Sequence, residues 1–174
     1  MANIIREILD SDKKHKEKVV LITEKVGDNK ELISQLFEIL QNGSDVEKGN
    51  VAEVLKFVSN ERPETMLQYI DIIVEYIDYK ASRVKWGCPE SIGNIARKYP
   101  YDVEKAIPKL FRNYNDKSTV VRWCAAYALS EIAKYNLKRQ NELVQKFKEF
   151  VKTEKNNGVR NVFIKAIKEI DKMK

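Results

Sequence analysis

The chain has 174 residues, 43% hydrophobic and 33% charged, a mix expected of a soluble helical protein long enough to bury a sizeable apolar core. No apolar run approaches the roughly 18 residues that would span a bilayer, and six scattered glycines with four prolines leave no linker or low-complexity stretch. The formal net charge of +6 is compatible with nucleic acid, with an acidic peptide, or simply with a lysine-rich solvated surface.

Along the chain, Ile4/Ile5/Ile8/Leu9 and Val19/Val20/Ile22/Val26 form two helical faces separated by the polar run from Ser11 to Lys16. The start, Met1 to Arg6, places an amphipathic helix where a signal peptide would need a basic segment and an apolar centre, so a cytoplasmic protein is expected. Residues 1–28 are read as a degenerate helix pair that acts as an N-terminal cap. Four further pairs are expected over 29–66, 67–103, 104–140 and 141–174.

In these pairs the first helix carries Ile33/Leu36/Phe37/Leu40, then Ile70/Ile73/Val74/Ile77, then Ile107/Leu110/Phe111/Tyr114, then Val144/Phe147/Val151. The second carries Val46/Val54/Phe57/Val58, then sets beginning at Val84 and Val121, then Val159/Ile167/Ile170. Each set has the i, i+3, i+4, i+7 spacing of one buried helical face. The breaks carry turn chemistry. Ser44 with Glu47 forms a capping box, Asn113 to Ser118 and Asn156-Asn157-Gly158 are short polar turns, and Pro100 with Asp102 is expected to stop one helix and cap the next. Short loops make neighbouring helices antiparallel.

The clearest signal is a duplication. Val84-Lys85-Trp86 with Ile92 and Ile95-Ala96 recurs 37 residues later as Val121-Arg122-Trp123 with Leu129 and Ile132-Ala133. A helix-pair repeat of this length predicts an all-α solenoid, an architecture that presents an extended surface.

These residues resemble the HEAT-repeat family. Ile107-Pro108-Lys109-Leu110-Phe111 looks like a first helix. Asp116, Val121-Arg122, Ala125-Ala126, Ala128-Leu129 and Ile132-Ala133 look like a second. The match is good over 67–134, fair over 29–66 and 141–174, and weak before 28. The period is short for the family, and Lys85 and Glu47 replace the arginine of the Val-Arg pair in two copies. The resemblance implies a right-handed αα superhelix of four to five hairpins, with second helices lining a concave side.

On a wheel of about 100° per residue, Ala125, Ala128, Leu129 and Ile132 share the Val121 side, whereas Trp123 and Ser130 fall opposite, flanked by Tyr127 and Lys134. One repeat earlier the corresponding positions are Trp86, Gly93, Glu90 and Arg97; Lys48 and Asn161 are placed at the tryptophan position of the outer copies. Trp86, Glu90, Arg97, Trp123, Tyr127 and Lys134, with Lys85 and Arg122 beside them, are therefore the candidate concave binding residues. Lys48, Lys165 and Lys168 extend this to a basic surface interleaved with aromatics. The competing role for the tryptophans is packing between repeats. Gly87, Pro89 and Gly93 interrupt the Trp86 helix, either as a functional irregularity or as a curvature-adjusting kink.

Cys88 and Cys124 lie inside helix patterns and are expected to be reduced, buried thiols. His15, the one histidine, is expected to be solvated in its polar turn. No metal motif, phosphate loop or nucleophile elbow is present, so neither cofactor nor metal is expected. The leading expectation is a non-catalytic interaction module, monomeric, gripping a protein segment on its concave face. A nucleic-acid-binding solenoid is the alternative. A third reading, by analogy with HEAT-like alkylpurine DNA glycosylases, would use Trp86, Glu90 and Trp123.

Overall fold

The computed structural model describes residues 3–173. Among the described residues, ten α-helices alternate in five antiparallel hairpins: α1 (Ile4–Asp10) with α2 (His15–Val26), α3 (Lys30–Asn42) with α4 (Asp45–Glu61), α5 (Ile70–Tyr76) with α6 (Ser82–Ala96), α7 (Ile107–Tyr114) with α8 (Thr119–Tyr135), and α9 (Leu137–Thr153) with α10 (Asn157–Lys172). Short 3-10 segments, Pro63–Tyr69 and Glu104–Ala106, lead into α5 and α7. The second helices pack in order, α2 on α4, α4 on α6, α6 on α8 and α8 on α10, and each first helix covers its own partner. The protein is thus an all-helical repeat solenoid.

Caps set the hairpins. Ser44 and Glu47 form the expected capping box, with the Ser44 backbone N–H donating to Glu47 Oε2 at 2.7 Å. Asn29, Ser118, Asn136 and Asn156 each accept a backbone N–H at a helix start. Asp102 does not cap a helix; Val103 precedes the 3-10 turn instead. The last unit begins at Leu137, earlier than the 141 expected, because Asn136 both ends α8 and caps α9.

The predicted first-helix faces are interior: Ile33, Leu36, Phe37, Leu40, Ile70, Ile73, Ile77, Ile107, Leu110 and Phe147 are all buried. The α4 face is shifted by one residue. Val46 is 71% exposed and Phe57 42%, whereas Val51, Val54, Leu55 and Val58 are buried. Ser44, Ala81 and Ser118 are successive N-caps 37 residues apart, so Glu47, not Val46, stands where Val84 and Val121 stand. Its carboxylate is held by the capping box and by Arg6 Nη1 at 2.7 Å, which keeps it out of the core.

Correct registration reveals a feature shared by all five hairpins. The fourth residue after the second-helix N-cap is Lys18, Lys48, Lys85, Arg122 and Arg160. Lys18 donates to Leu9 O (2.6 Å), Lys48 to Gln41 O (2.8 Å), Arg122 to Asp116 O (3.1 Å) and Arg160 to Glu154 O (3.4 Å). A cation there satisfies carbonyls left over at the end of the preceding helix and complements its dipole. Lys85 instead reaches forward to the next hairpin, to Asp116 Oδ2 at 2.8 Å, and Arg122 does both, reaching Glu154 Oε2 at 3.2 Å. A cation thus recurs at this position in every hairpin, once Lys48 rather than Glu47 is read as its member, and two rungs of this basic ladder bridge to the next hairpin.

Candidate binding groove on the second-helix face

The three central second helices, α4, α6 and α8, bury more than half of their residues. Along α8, Val121, Cys124, Ala125, Ala126, Ala128, Leu129, Ile132 and Ala133 are all buried between α6, α10 and the covering helices. Towards the groove α8 presents a ridge of Trp123, Tyr127 and Lys134, one turn to two turns apart, while Val120 and Tyr135 are exposed near its two ends. Trp123 is 38% exposed. Its ring stacks on that of Tyr127 with centroids 5.8 Å apart and planes 3° from parallel.

This ridge forms the floor of a groove of ≈ 600 Å³, bounded by Arg97 of α6 and by Val162, Lys165 and Glu169 of α10. That size falls within the range of ligand-binding clefts. Polar contacts hold the floor rigid. Tyr127 Oη donates to Asn94 Oδ1 at 2.7 Å and accepts from Arg97 Nη2 at 2.9 Å. Burial pushes the phenol up to about 12, so it stays protonated. Glu131, buried beneath the groove, accepts from Arg97 Nε at 3.1 Å and pairs with Lys134 Nζ at 2.5 Å, which also reaches Glu169 Oε2 at 2.9 Å. Burial opposes the Lys134 charge, but the two carboxylates hold its pKa above the ordinary lysine range. Ser130 Oγ is buried in the groove wall with no hydrogen-bond partner.

Trp86 and Glu90 lie in a separate, smaller cleft of ≈ 230 Å³, lined also by His15, Glu53, Lys56 and Arg83. Trp86 is half-buried, and its indole Nε1 is fully enclosed without a partner. Burial raises the Glu90 pKa despite Lys56 Nζ at 3.9 Å, and the Cys124 thiol donates to Glu90 Oε1 at 3.5 Å. His15 is not freely solvated in a turn: its side chain is 27% exposed and held by partners on the next hairpins. Its Nδ1 lies 2.6 Å from Asn50 Oδ1 and its Nε2 2.6 Å from Glu53 Oε2, with Arg83 Nη1 2.9 Å from Nδ1. The reason is that α2 starts at His15 itself and lies against α4.

Of the eight candidate residues, the fold thus brings four, Arg97, Trp123, Tyr127 and Lys134, into one groove. Trp86 and Glu90 share the neighbouring cleft. Lys85 and Arg122 belong to the basic ladder between hairpins and are held in ion pairs. Lys48 is no concave residue either: it is buried, 5.0 Å above the rings of both Tyr76 and Tyr79, and Gly49 occupies the tryptophan position in α4. The basic surface expected from the sequence is accordingly laced with carboxylates. The wheel places Ser130 beside Trp123 but does not single out Glu131, Tyr135 or the α10 residues Val162, Ala166 and Glu169 that complete the groove; Glu131 lies one turn beyond Tyr127 on the same ridge, a spacing that marks it.

The interrupted helix has a packing explanation. A Cβ on Gly87 would collide with the backbone carbonyl of Ala52, and one on Gly93 would lie 2.6 Å from the Tyr127 ring. Both glycines permit close approach of α6 to its two neighbours, and α6 runs continuously through the buried Pro89.

Among the described residues, no group of three or more His, Cys, Asp or Glu side chains is placed to hold a metal, and no helix is long and apolar enough to cross a membrane. No family model matches the sequence, and no curated protein matches it. Solved structures do match the fold. A designed armadillo repeat protein in complex with the peptide (KR)4 superposes with a TM-score of 0.72 at 18% identity, over 97% of this chain and 81% of that one. Two engineered proteins match similarly, with a TM-score of 0.72 at 16% identity over 98% and 79% of the two chains, and a TM-score of 0.71 at 21% identity over 98% and 81%. These likenesses define the class as a helical-repeat solenoid.

Proposed function

We propose that this chain is a non-catalytic solenoid of short HEAT-type hairpins that binds a segment of a partner protein along its concave, second-helix face. The observation that carries the reading is Trp123. It offers a large, exposed apolar surface at the base of the groove, 38% exposed and stacked on a Tyr127 fixed by two hydrogen bonds. Rigid, amphipathic aromatic surface in a groove is the usual anchor of protein recognition. The designed armadillo neighbour, in complex with a peptide, supports the idea that such a scaffold can hold a chain segment.

Selection of a displayed random peptide library on the purified protein tests it. Selected peptides are expected to perturb the intrinsic tryptophan emission and to lose affinity by about tenfold or more with Trp123→Ala. A folded Trp123→Ala protein that binds the same peptides with unchanged affinity would place the interaction elsewhere.

A further inference from the structure

The groove's charges are stratified, and the stratification selects its occupant. Its deepest carboxylate, Glu131, has a side chain only 6% exposed and is already shared by Arg97 and Lys134. A ligand cation would find that group screened by two cations. The charges that stand furthest outward are positive: Arg97 is 47% exposed and Lys165 79%, against 37% for Glu169. Arg97 spends three N–H groups on Glu131, Asn60 and Tyr127, out of the five a guanidinium has. Lys165 has Glu169 only at 3.9 Å. On the far side of the Trp86 cleft, Arg83 and Lys16 are likewise exposed.

From this geometry we infer that the second-helix face, from the Trp86 cleft across to the Trp123 groove, binds an acidic, extended peptide segment, in which two aromatic or large aliphatic side chains three residues apart seat against Trp86 and Trp123 while Asp or Glu residues around them meet Arg83, Arg97 and Lys165. The inference rests on the protein-binding reading above and adds the partner's chemistry. The spacing comes from the repeat. Trp86 and Trp123 occupy matched positions, the fifth after each N-cap, on adjacent packed helices, whose axes lie about 8–10 Å apart. A polyproline-type extended chain rises about 3.1 Å per residue and returns to the same side every three residues, so side chains at i and i+3 are about 9 Å apart. The occupant is thus opposite in charge to the (KR)4 peptide carried by the designed armadillo neighbour.

Fluorescein-labelled peptides of equal length test the inference by anisotropy: an acidic peptide with two Trp or Leu anchors at i and i+3, the same anchors among lysines, the acidic peptide with serine anchors, and a single-stranded oligonucleotide. The anchored acidic peptide is expected to bind with an affinity that falls as salt rises, and the other peptides about tenfold more weakly or worse. Lys165→Glu, at an exposed position that does not enter the core, is expected to weaken the acidic peptide about tenfold. Equal or tighter binding of the lysine peptide, or indifference to Lys165→Glu, overturns the acidic assignment while leaving a peptide-binding solenoid. Preferential binding of the oligonucleotide, lost with Lys165→Glu, replaces it with a nucleic-acid surface. Failure of every synthetic peptide together with an empty display selection sinks both readings.

Discussion

The α6 and α8 copies of the duplicated signature occupy matched positions yet present their tryptophans in different ways. Trp123 is followed one turn later by Tyr127, and the two rings stack in the open at the base of a groove. Trp86 is followed one turn later by Glu90, and its ring is half-buried with the indole N–H enclosed and unpartnered. Part of the difference is the neighbour on the N-terminal side. His15 of α2 binds Asn50 and Glu53 and meets Arg83, so the first hairpin is drawn over the cleft that holds Trp86. The other part is the glycine at position 87, which lets α6 sink against α4 where α8 carries Cys124. A repeat fixes where a side chain emerges; the residue one turn on and the adjacent hairpin decide what it can do there.

The largest expected separation between the copies comes from those small residues. Gly87→Ala gains about 1 kcal/mol of helix propensity, but its Cβ would overlap the backbone oxygen of Ala52 and stand 2.5 Å from its carbonyl carbon, neither of which can rotate away. The overpacking is expected to dominate, for a net loss of about 3 kcal/mol in urea unfolding. Cys124→Ala, at the equivalent place in α8, removes only a small buried group and its weak contact with Glu90, and should cost about 1 kcal/mol. A Gly87→Ala protein as stable as its parent would mean that α6 and α4 are not in this close contact.

The tryptophans themselves should separate next. Trp86→Ala empties part of an interior surface and is expected to cost about 2–3 kcal/mol, toward the lower end for truncation of a buried aromatic. Trp123→Ala removes an exposed ring and should cost less than about 1 kcal/mol while weakening any peptide bound in the groove. Thermal unfolding of the two single variants reads this directly. Equal destabilisation would erase the distinction between a half-buried and an exposed tryptophan.

Much of this architecture is visible in the amino-acid sequence alone. The 37-residue period and the i, i+3, i+4 faces of α3 and α5 to α8 emerge from the apolar pattern, and the buried residues agree. The slip at Val46 and Phe57 arises because the apolar pattern weighs a valine beside a glutamate without asking which one the cap places inward. Counting from the Ser44 capping box sets the register correctly. The wheel also separates Trp123 and Tyr127 from the core. What it cannot supply is which carboxylate meets which cation. Arg97 with Glu131 and Lys134 with Glu169 are 34 and 35 residues apart, pairings decided by how two helices lie side by side. The surroundings of His15 escape the sequence for the same reason, since its partners come from the next hairpins.

The basic ladder offers the finest comparison, because its two forward-reaching rungs use different pairs. The Lys85 ammonium, donating to Asp116, holds that carboxylate below its ordinary range, with the Ser118 N–H adding to the effect. At Glu154 burial works the other way, but Arg122 and the Asn156 N–H outweigh it and its pKa is also lowered. A folded-state pKa below the unfolded value means that each carboxylate stabilises the fold at neutral pH, and that this contribution is lost as pH falls below about 4 toward the folded value. Glu154 is the more enclosed of the two, with a side chain 5% exposed against 17% for Asp116. Glu154→Gln is therefore expected to cost about 2 kcal/mol at pH 7, tempered because Arg122 keeps its bonds to the Asp116 and Lys117 carbonyls. Asp116→Asn should cost about 1 kcal/mol, since Lys85 is better able to turn its ammonium to water. For both, the gap from the parent narrows on acidification, because the parent then protonates the same group. A gap for Glu154→Gln that stays constant from pH 7 to pH 3 would show that the rung acts through shape alone and not through charge.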